Sequence, residues 1–195
     1  MLNIAKDKVE YQTVNGTPPV GICGSGIIDA VAGLHAAGIV DASGRLHEHP
    51  RVHVTNGERE FVLVSGDERG VAHAITITQH DVREIQLAKG AISTGIQVLM
   101  QSKGMAGADV ELVILAGAFG SYLDLAAGVS IGLLPSLPPD RFRQVGNAAG
   151  AGARMALVSM ARRREAAELA RRMEYIELAA APRFMETFSR ATLLG

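Results

Sequence analysis

The chain has 195 residues, a formal net charge of −1 and 48% hydrophobic residues, which suits one domain or one lobe of a larger protein. The near-neutral charge argues against a nucleic-acid partner, and no apolar run approaches the ~20 residues of a membrane span. Cys23 is the only cysteine, which excludes internal disulfides and multi-cysteine zinc or iron–sulfur sites. The first residues lack the long apolar segment of a signal peptide, so we expect a cytoplasmic protein.

The first forty residues predict a strand followed by a helix. Residues 9–13 alternate loosely between apolar and polar, which indicates one strand or a hairpin ending at Pro18-Pro19. A glycine-rich turn at residues 21–26 then opens an apolar helix from about Ser25 to His35, with Gly38 as its stop.

The next segment predicts a small β-meander and then a long helix. Strand-like fragments cover residues 51–55, 60–65 and 72–78. Thr78 and Asp81 have the spacing of a capping box, with Asp in place of the usual Glu. The helix that follows has an apolar stripe, which we expect to be buried and which consists of Ile85, Ala88, Ile92, Ile96 and Leu99.

The most informative pattern is the apolar run from Val110 to Leu115 that stops at Gly117 and Gly120. A run that is apolar on both faces predicts a central strand covered by helices. The glycines permit a sharp turn and the close approach of a planar or anionic ligand. In open α/β sheets, ligands bind at the carboxyl ends of strands. A purely steric role for the two glycines is equally compatible with this pattern.

The C-terminal third predicts a connection over 121–135, a strand over 141–145, an alanine-rich helix after Gly146-Asn147 and a last helix from about Arg162 to Ala179. The arginines of the last helix indicate a solvated face, with a docking patch for an acidic partner as the alternative. Strands and helices that alternate, interrupted by the meander, predict an α/β layer architecture.

Gln86, Lys89 and Ser93 form a polar stripe on the long helix. An amide, a cation and a hydroxyl at i, i+3 and i+4 spacing share one helix face and could grip a ribose and a purine. A solvated helix face is the simpler interpretation.

The loop Gly24-Ser25-Gly26 precedes a helix, where backbone N–H groups can hold an anion. It has neither the lysine of a Walker loop nor the third glycine of a dinucleotide fingerprint, so a tight turn with Ser25 as N-cap is the alternative. For Cys23 the sequence favours a packed small residue over a reactive thiol, because no His or second Cys lies at a useful spacing. Asp29 would simply favour the helix dipole.

Six segments, taken together, are more specific than any single motif, and they occur in order along almost the whole chain. They are Pro19 to Asp29, Asp81 to Lys89, Leu115 to Gly120, Ile131 to Pro135, Val145 to Ala149 and Tyr175 to Leu178. Together they resemble the C-terminal part of the reductive activators of corrinoid proteins. These activators are ATPases of the acetate and sugar kinase, heat-shock chaperone and actin superfamily, and they usually carry an N-terminal iron–sulfur domain.

The resemblance implies a fold, a ligand and a partner. The fold would be the actin-like (ribonuclease H-like) second lobe, a mixed sheet flanked by helices, with residues 1–195 as one domain. Gly117, Ala118, Phe119 and Gly120 would lie against the purine or ribose, with Gln86, Lys89 and Ser93 also at the nucleotide. Gly24, Ser25 and Gly26 would form the lip of the cleft. The implied cofactor is ATP or ADP with Mg, and the implied partner is a cobalt(II) corrinoid protein.

Two features of that superfamily do not occur in this sequence. The two Asp-x-Gly-Thr hairpins that hold Mg and phosphate are missing, and so are the iron–sulfur cysteines. We therefore expect a lobe truncated at its N-terminal strands, with no catalytic or metal-binding residue of its own. Such a lobe would bind adenine nucleotide weakly and would not hydrolyse it alone.

Two other functions remain open from the sequence. A non-catalytic docking or oligomerisation module could use the same fold, whereas a small sugar or acyl kinase is disfavoured because no aspartate lies in a recognisable phosphate loop. Missing early strands would leave a sheet edge unpaired, so we expect a homodimer or a larger species.

Overall fold

The computed structural model describes residues 2–5, 8–67, 71 and 73–195. The chain begins with an antiparallel hairpin of β1 (Leu2–Ala5) and β2 (Lys8–Tyr11), in which Leu2 pairs with Tyr11. Of the two expected alternatives, the structure thus has the hairpin, but it ends at Tyr11 rather than at Pro18-Pro19. β1 packs against helix α1 (Gly24–Ala36), whose inner face is buried through Val31 and Leu34 among others.

Helix α1 ends through local chemistry that the sequence predicts. Gly38 adopts a left-handed conformation with φ of +71°, its N–H donates to His35 O, and the N–H of Ile39 donates to Leu34 O. This pair of bonds is a Schellman motif, which satisfies the last carbonyls of the helix.

The meander forms a three-stranded antiparallel sheet in the order β3 (Val52–Thr55), β4 (Glu58–Val64) and β5 (Ile75–Thr78). Asn56 and Gly57, both with positive φ, make the two-residue turn between β3 and β4, as expected for an Asn-Gly hairpin. The three predicted strands are confirmed. The third was expected to begin at Ala72, which lies outside the described residues, and the observed strand begins at Ile75.

The long helix α2 (Gln79–Ser102) begins at the predicted capping box. Thr78 Oγ1 accepts from Asp81 N, and the Asp81 carboxylate accepts from Thr78 N at 2.8 Å. The prediction for its buried face is wrong. Ile92 and Leu99 are about half exposed, whereas the buried residues are Val82, Gln86, Lys89, Gly90, Thr94 and Val98.

The second half of the chain contains a short parallel pair of strands. β6 (Val113–Leu115) pairs with β7 (Phe142–Gln144), so that Val113 lies opposite Phe142. Between the strands lie two short helices, α3 (Ala118–Tyr122) and α4 (Leu125–Ser130), where a plain connection was expected. The expectation of a strand buried on both faces is also wrong, because β6 has three residues and Ile114 is 59% exposed.

Three helices complete the chain: α5 (Ala148–Val158), α6 (Met160–Arg172) and α7 (Phe184–Ala191). The predicted last helix is α6, which ends at Arg172 rather than near Ala179, and α7 was not predicted. No residue of α5 or α6 is buried, and the arginines of α6 are exposed, as the sequence indicates. Helix α7 packs along α2.

The α/β class is confirmed, with the strands divided among three small sheets. One hydrophobic core joins α1, the meander, the first turn of α2 and residues 131–134. Within the part of the chain that the structure describes, no helix is both long and apolar enough to cross a membrane.

Candidate functional site

Two glycine turns meet at the carboxyl ends of the parallel strands. Gly117 follows β6 with φ of +98°, and its N–H donates to Gly146 O at 2.7 Å. Gly146 follows β7 with φ of +67°. Ser121 Oγ donates to Gly117 O at 3.0 Å and closes the turn from the other side. This end of the strands is the position at which an open α/β sheet accepts a ligand.

The two glycines of the predicted ligand turn have different roles. A Cβ on Gly117 would meet no atom within 4 Å, so this glycine is open to a ligand, and its φ itself favours glycine. Gly120 is buried in α3, and its Cβ would lie 3.2 Å from Leu115 Cβ. Gly120 is therefore explained by close packing of α3 on β6.

The cleft loop lies beside this turn. A Cβ on Gly24 would lie 3.6 Å from the Phe119 ring, which is 49% exposed. The structure thus places Gly24 of the cleft loop next to Phe119 of the turn. Ala118, which lies between Gly117 and Phe119 in the turn, is exposed.

The start of α1 differs from the predicted one. Cys23, not Ser25, is the N-cap residue, and the helix begins at Gly24. Cys23 is exposed rather than packed, which makes the favoured sequence interpretation wrong. The Ser25 hydroxyl, 3.5 Å from the sulfur, lowers the thiol pKa, and the backbone N–H of Gly26 lowers it further.

The polar stripe of α2 is mostly buried, so the interpretation as a solvated face is wrong for two of its three members. Gln86 is 7% exposed and Lys89 is 2% exposed, whereas Ser93 is half-buried. Gln86 Nε2 donates to Thr192 O at 2.9 Å, and Lys89 Nζ donates to Leu193 O. Burial lowers the pKa of Lys89 to about 8. Ser93 Oγ accepts from Gln97 Nε2 at 3.3 Å.

These contacts give the stripe different neighbours from the glycine turns. Residues 192–193, beyond α7, supply the carbonyl groups, and a Cβ on Gly132 would lie 3.3 Å from Lys89 Nζ. The Gln86 amide also packs against Gly44, where a Cβ would overlap it. The stripe is therefore part of the packing between α2 and the C-terminal segment.

Asp29 is a half-buried acid whose environment the sequence did not reveal. Its Oδ1 is buried and has no hydrogen-bond partner among the described residues. Burial raises the pKa of this carboxyl, and the nearby Asp124 raises it further. Its position early in α1 predicted only a favourable interaction with the helix dipole. The described residues contain no group of three or more His, Cys, Asp or Glu side chains placed to hold a metal ion.

Comparison with known proteins gives concordant matches. A family model described as the C-terminal domain of RACo, the ASKHA domain, matches residues 1–195. The corrinoid activation enzyme RamQ of Eubacterium limosum is 39% identical over 96% of this chain and 33% of that protein. A Methanosarcina barkeri reductase of a Co(II) methylated-amine-specific corrinoid protein is 28% identical over 83% of this chain and 26% of that protein.

A solved structure supports the same relationship. The reductive activator for a corrinoid, iron–sulfur protein superposes with a TM-score of 0.92 and 39% identity, over 99% of this chain and 32% of that one. The chain thus spans about a third of the length of the relatives that it matches. It belongs to the family of ASKHA-type C-terminal domains of the corrinoid reductive activators.

Proposed function

We propose that this chain supplies the adenosine side of an ATP site that supports the ATP-dependent reduction of cobalt(II) corrinoid proteins. The relatives are named as activators or reductases of corrinoid proteins, which supports a role in that reduction. One observation carries the nucleotide part of the proposal: the half-exposed Phe119 ring, two residues after the open Gly117, lies against Gly24.

The proposed binding mode follows from this geometry. A purine stacks on the Phe119 ring, and the ribose lies over Gly117, where no Cβ intervenes. The sequence has no Asp-x-Gly-Thr hairpin, so this chain offers Mg and the phosphates no group of that kind. Purified chain incubated with Mg-ATP is accordingly expected to release phosphate no faster than buffer alone.

Gln86, Lys89 and Ser93 take part in this proposal only on one condition. A nucleotide that reaches Lys89 must displace the Leu193 carbonyl from its ammonium group. In that case nucleotide binding would increase hydrogen exchange at residues 192–194, and Lys89→Ala would weaken binding by about 1–2 kcal/mol, the scale of one charge-assisted hydrogen bond.

Calorimetry with Mg-ADP tests the site. Phe119→Ala is expected to weaken binding about tenfold, because stacking of a base on an aromatic ring contributes about 1–3 kcal/mol. Tyr122→Ala is the matched control, because Tyr122 is an even more exposed aromatic residue of the same short helix. Equal affinity in the parent and both variants would reject the turn as the adenosine site.

The corrinoid part needs a separate test. We would replace the matching third of the Eubacterium limosum relative with this chain and measure ATP-dependent reduction of its cobalt(II) corrinoid substrate. The proposal is supported if the chimera retains ATP-dependent reduction and its Phe119→Ala variant reduces the substrate more slowly. A folded chimera that binds its corrinoid partner but gives no ATP-dependent reduction would instead favour a docking module.

A further inference from the structure

A groove of about 630 Å³ lies at the start of α2, away from the glycine turns. Its wall comes from three parts of the chain: residues 43–45, the hairpin tip at residues 57–59, and Gln79 with Arg83 on α2. We call it the arginine groove, because Arg45, Arg59 and Arg83 all line it. None of its lining residues belongs to the candidate nucleotide turn. Its volume falls in the range of small-molecule sites.

The loop that carries Arg45 is held in place by side chains behind it. The Asp41 carboxylate accepts from the backbone N–H groups of Ser43 at 2.8 Å and Arg45 at 3.1 Å, and from His47 Nε2 at 2.9 Å. The hydrogen bond from the Ser43 hydroxyl, at 2.6 Å, is the largest cause that lowers the pKa of Asp41 to about 2. The carboxylate that holds the loop therefore stays charged across the neutral pH range.

A second set of contacts ties this loop to α2. Gln79 Oε1 accepts from Leu46 N at 2.9 Å, and Gln79 Nε2 donates to Gly44 O at 2.7 Å. Gly44, with φ of +83°, also packs on Gln86. The loop that carries Arg45 and the helix that carries Arg83 are thus fixed relative to one another, so ligand binding does not have to order these two backbone segments.

The charges in the groove are unbalanced. Three guanidinium groups face one carboxylate, Glu58, whose Oε1 already accepts from His80 N at 2.7 Å. Arg59 Nη1 donates to Leu46 O at 2.7 Å and keeps its other donors. Within the described ranges, the side chains of Arg45 and Arg83 make no hydrogen bond or ion pair. The start of α2 lies at the same place, but its N–H groups at His80 and Asp81 are already bonded to Glu58 and Thr78.

We propose that the arginine groove binds a phosphate-bearing small molecule. Planar guanidinium forks match the oxygens of a phosphate group in pairs, and three of them on separate elements suit a multiply charged anion. The groove is polar, and its lining residues include no large apolar side chain. We therefore expect it to bind the phosphate group of the ligand rather than an apolar part.

Calorimetry with pyrophosphate tests this site without involving a base or a ribose. We expect the parent chain to bind pyrophosphate, and Arg45→Gln and Arg83→Gln each to weaken binding about tenfold, the effect of one lost charge-assisted contact. Glu58→Gln should strengthen binding, because it removes the one carboxylate that lines the groove and keeps the oxygen that accepts from His80 N. Arg164→Gln, an exposed arginine on α6, is the matched control and should bind as the parent does.

Melting curves of the variants show whether each is folded, and Arg45 and Arg83 are both exposed, so their folding should be unaffected. Absence of pyrophosphate binding at millimolar concentration in the parent would overturn the proposal. Equal losses of pyrophosphate affinity in Arg164→Gln and Arg83→Gln would also overturn it. So would a parent chain that binds an acidic peptide but not pyrophosphate. Phe119→Ala should leave pyrophosphate binding unchanged, so the outcome is independent of the adenosine site.

Discussion

Lys89 is a buried lysine whose ammonium group has one hydrogen-bond acceptor, a backbone carbonyl, among the described residues. Its side chain is 2% exposed, its Nζ donates to Leu193 O, and burial lowers its pKa from 10.5 to about 8. A buried ammonium group loses its hydration and regains only part of it from a single acceptor. Folding therefore favours the neutral amine.

This pKa predicts how stability changes with pH. Below about pH 8 the lysine is charged in both the folded and unfolded states, and the full burial penalty applies. Between pH 8 and 10.5 the unfolded chain binds more protons than the folded one, so the free energy of unfolding rises with pH. Urea titrations at pH 7 and 9.5 should show the parent gaining about 2 kcal/mol relative to Lys89→Met.

The comparison with Lys89→Met removes the contributions of the other titrating groups, which both proteins share. A difference between the two proteins that stays constant from pH 7 to 9.5 would contradict a depressed pKa at this position.

The sequence predicted that Gln86 and Lys89 share one face of α2, but it did not predict their hydrogen-bond partners. Helical spacing is enough to place two side chains on one face. Their acceptors, Thr192 O and Leu193 O, lie 106 and 104 residues away along the chain, and spacing carries no information about contacts of that range. In the same way, sequence showed that Gly117 and Gly120 matter, but only the structure separates the open glycine from the packed one.

At the scale of elements, boundaries set by local chemistry were predictable. The Thr78 capping box and the Gly38 stop involve bonds that span three to five residues, and both are present. The buried face of α2 was mispredicted because burial depends on α7, an amphipathic helix whose i, i+4 and i+7 pattern at Phe184, Phe188 and Ala191 was missed. The prediction that β6 is buried on both faces was wrong for a related reason. An apolar run does not show which of its two faces packs against a neighbouring element.

The capping box gives a prediction at this scale. Thr78→Ala removes the side-chain acceptor of Asp81 N from a helix that packs on α7 and the meander, so the global free energy of unfolding should fall by about 1 kcal/mol. Ser159→Ala is the control, because Ser159 caps α6, which has no buried residue. It should lower helicity by circular dichroism without moving the urea midpoint. Equal midpoint shifts would show that α6 is coupled to the core.

The whole molecule exposes more surface than its mass requires. Its accessible area is 12476 Å² for 20.5 kDa, whereas a compact monomer of that mass exposes about 8,900 Å². The excess includes apolar side chains on several elements, such as Ile114 on β6, Leu99 on α2 and Val158 on α5. Surface of this kind marks sites that pack against other protein.

We therefore expect the purified chain to self-associate. The two-stranded sheet of β6 and β7 pairs with no other described strand, which leaves backbone groups available at its edges. Size-exclusion chromatography with light scattering at micromolar concentration should give a mass of at least twice 20.5 kDa. A clean monomer under these conditions would contradict this expectation.

The contact between α2 and residues 192–193 also has a consequence for the order of folding. The meander and the capping box join residues that are near in sequence, so they can form early. The bonds of Gln86 and Lys89 close loops of more than a hundred residues, and the entropy of such closure delays contacts of this range. During synthesis, the buried face of α2 therefore stays in water until residues 192–193 leave the ribosome and can contact it.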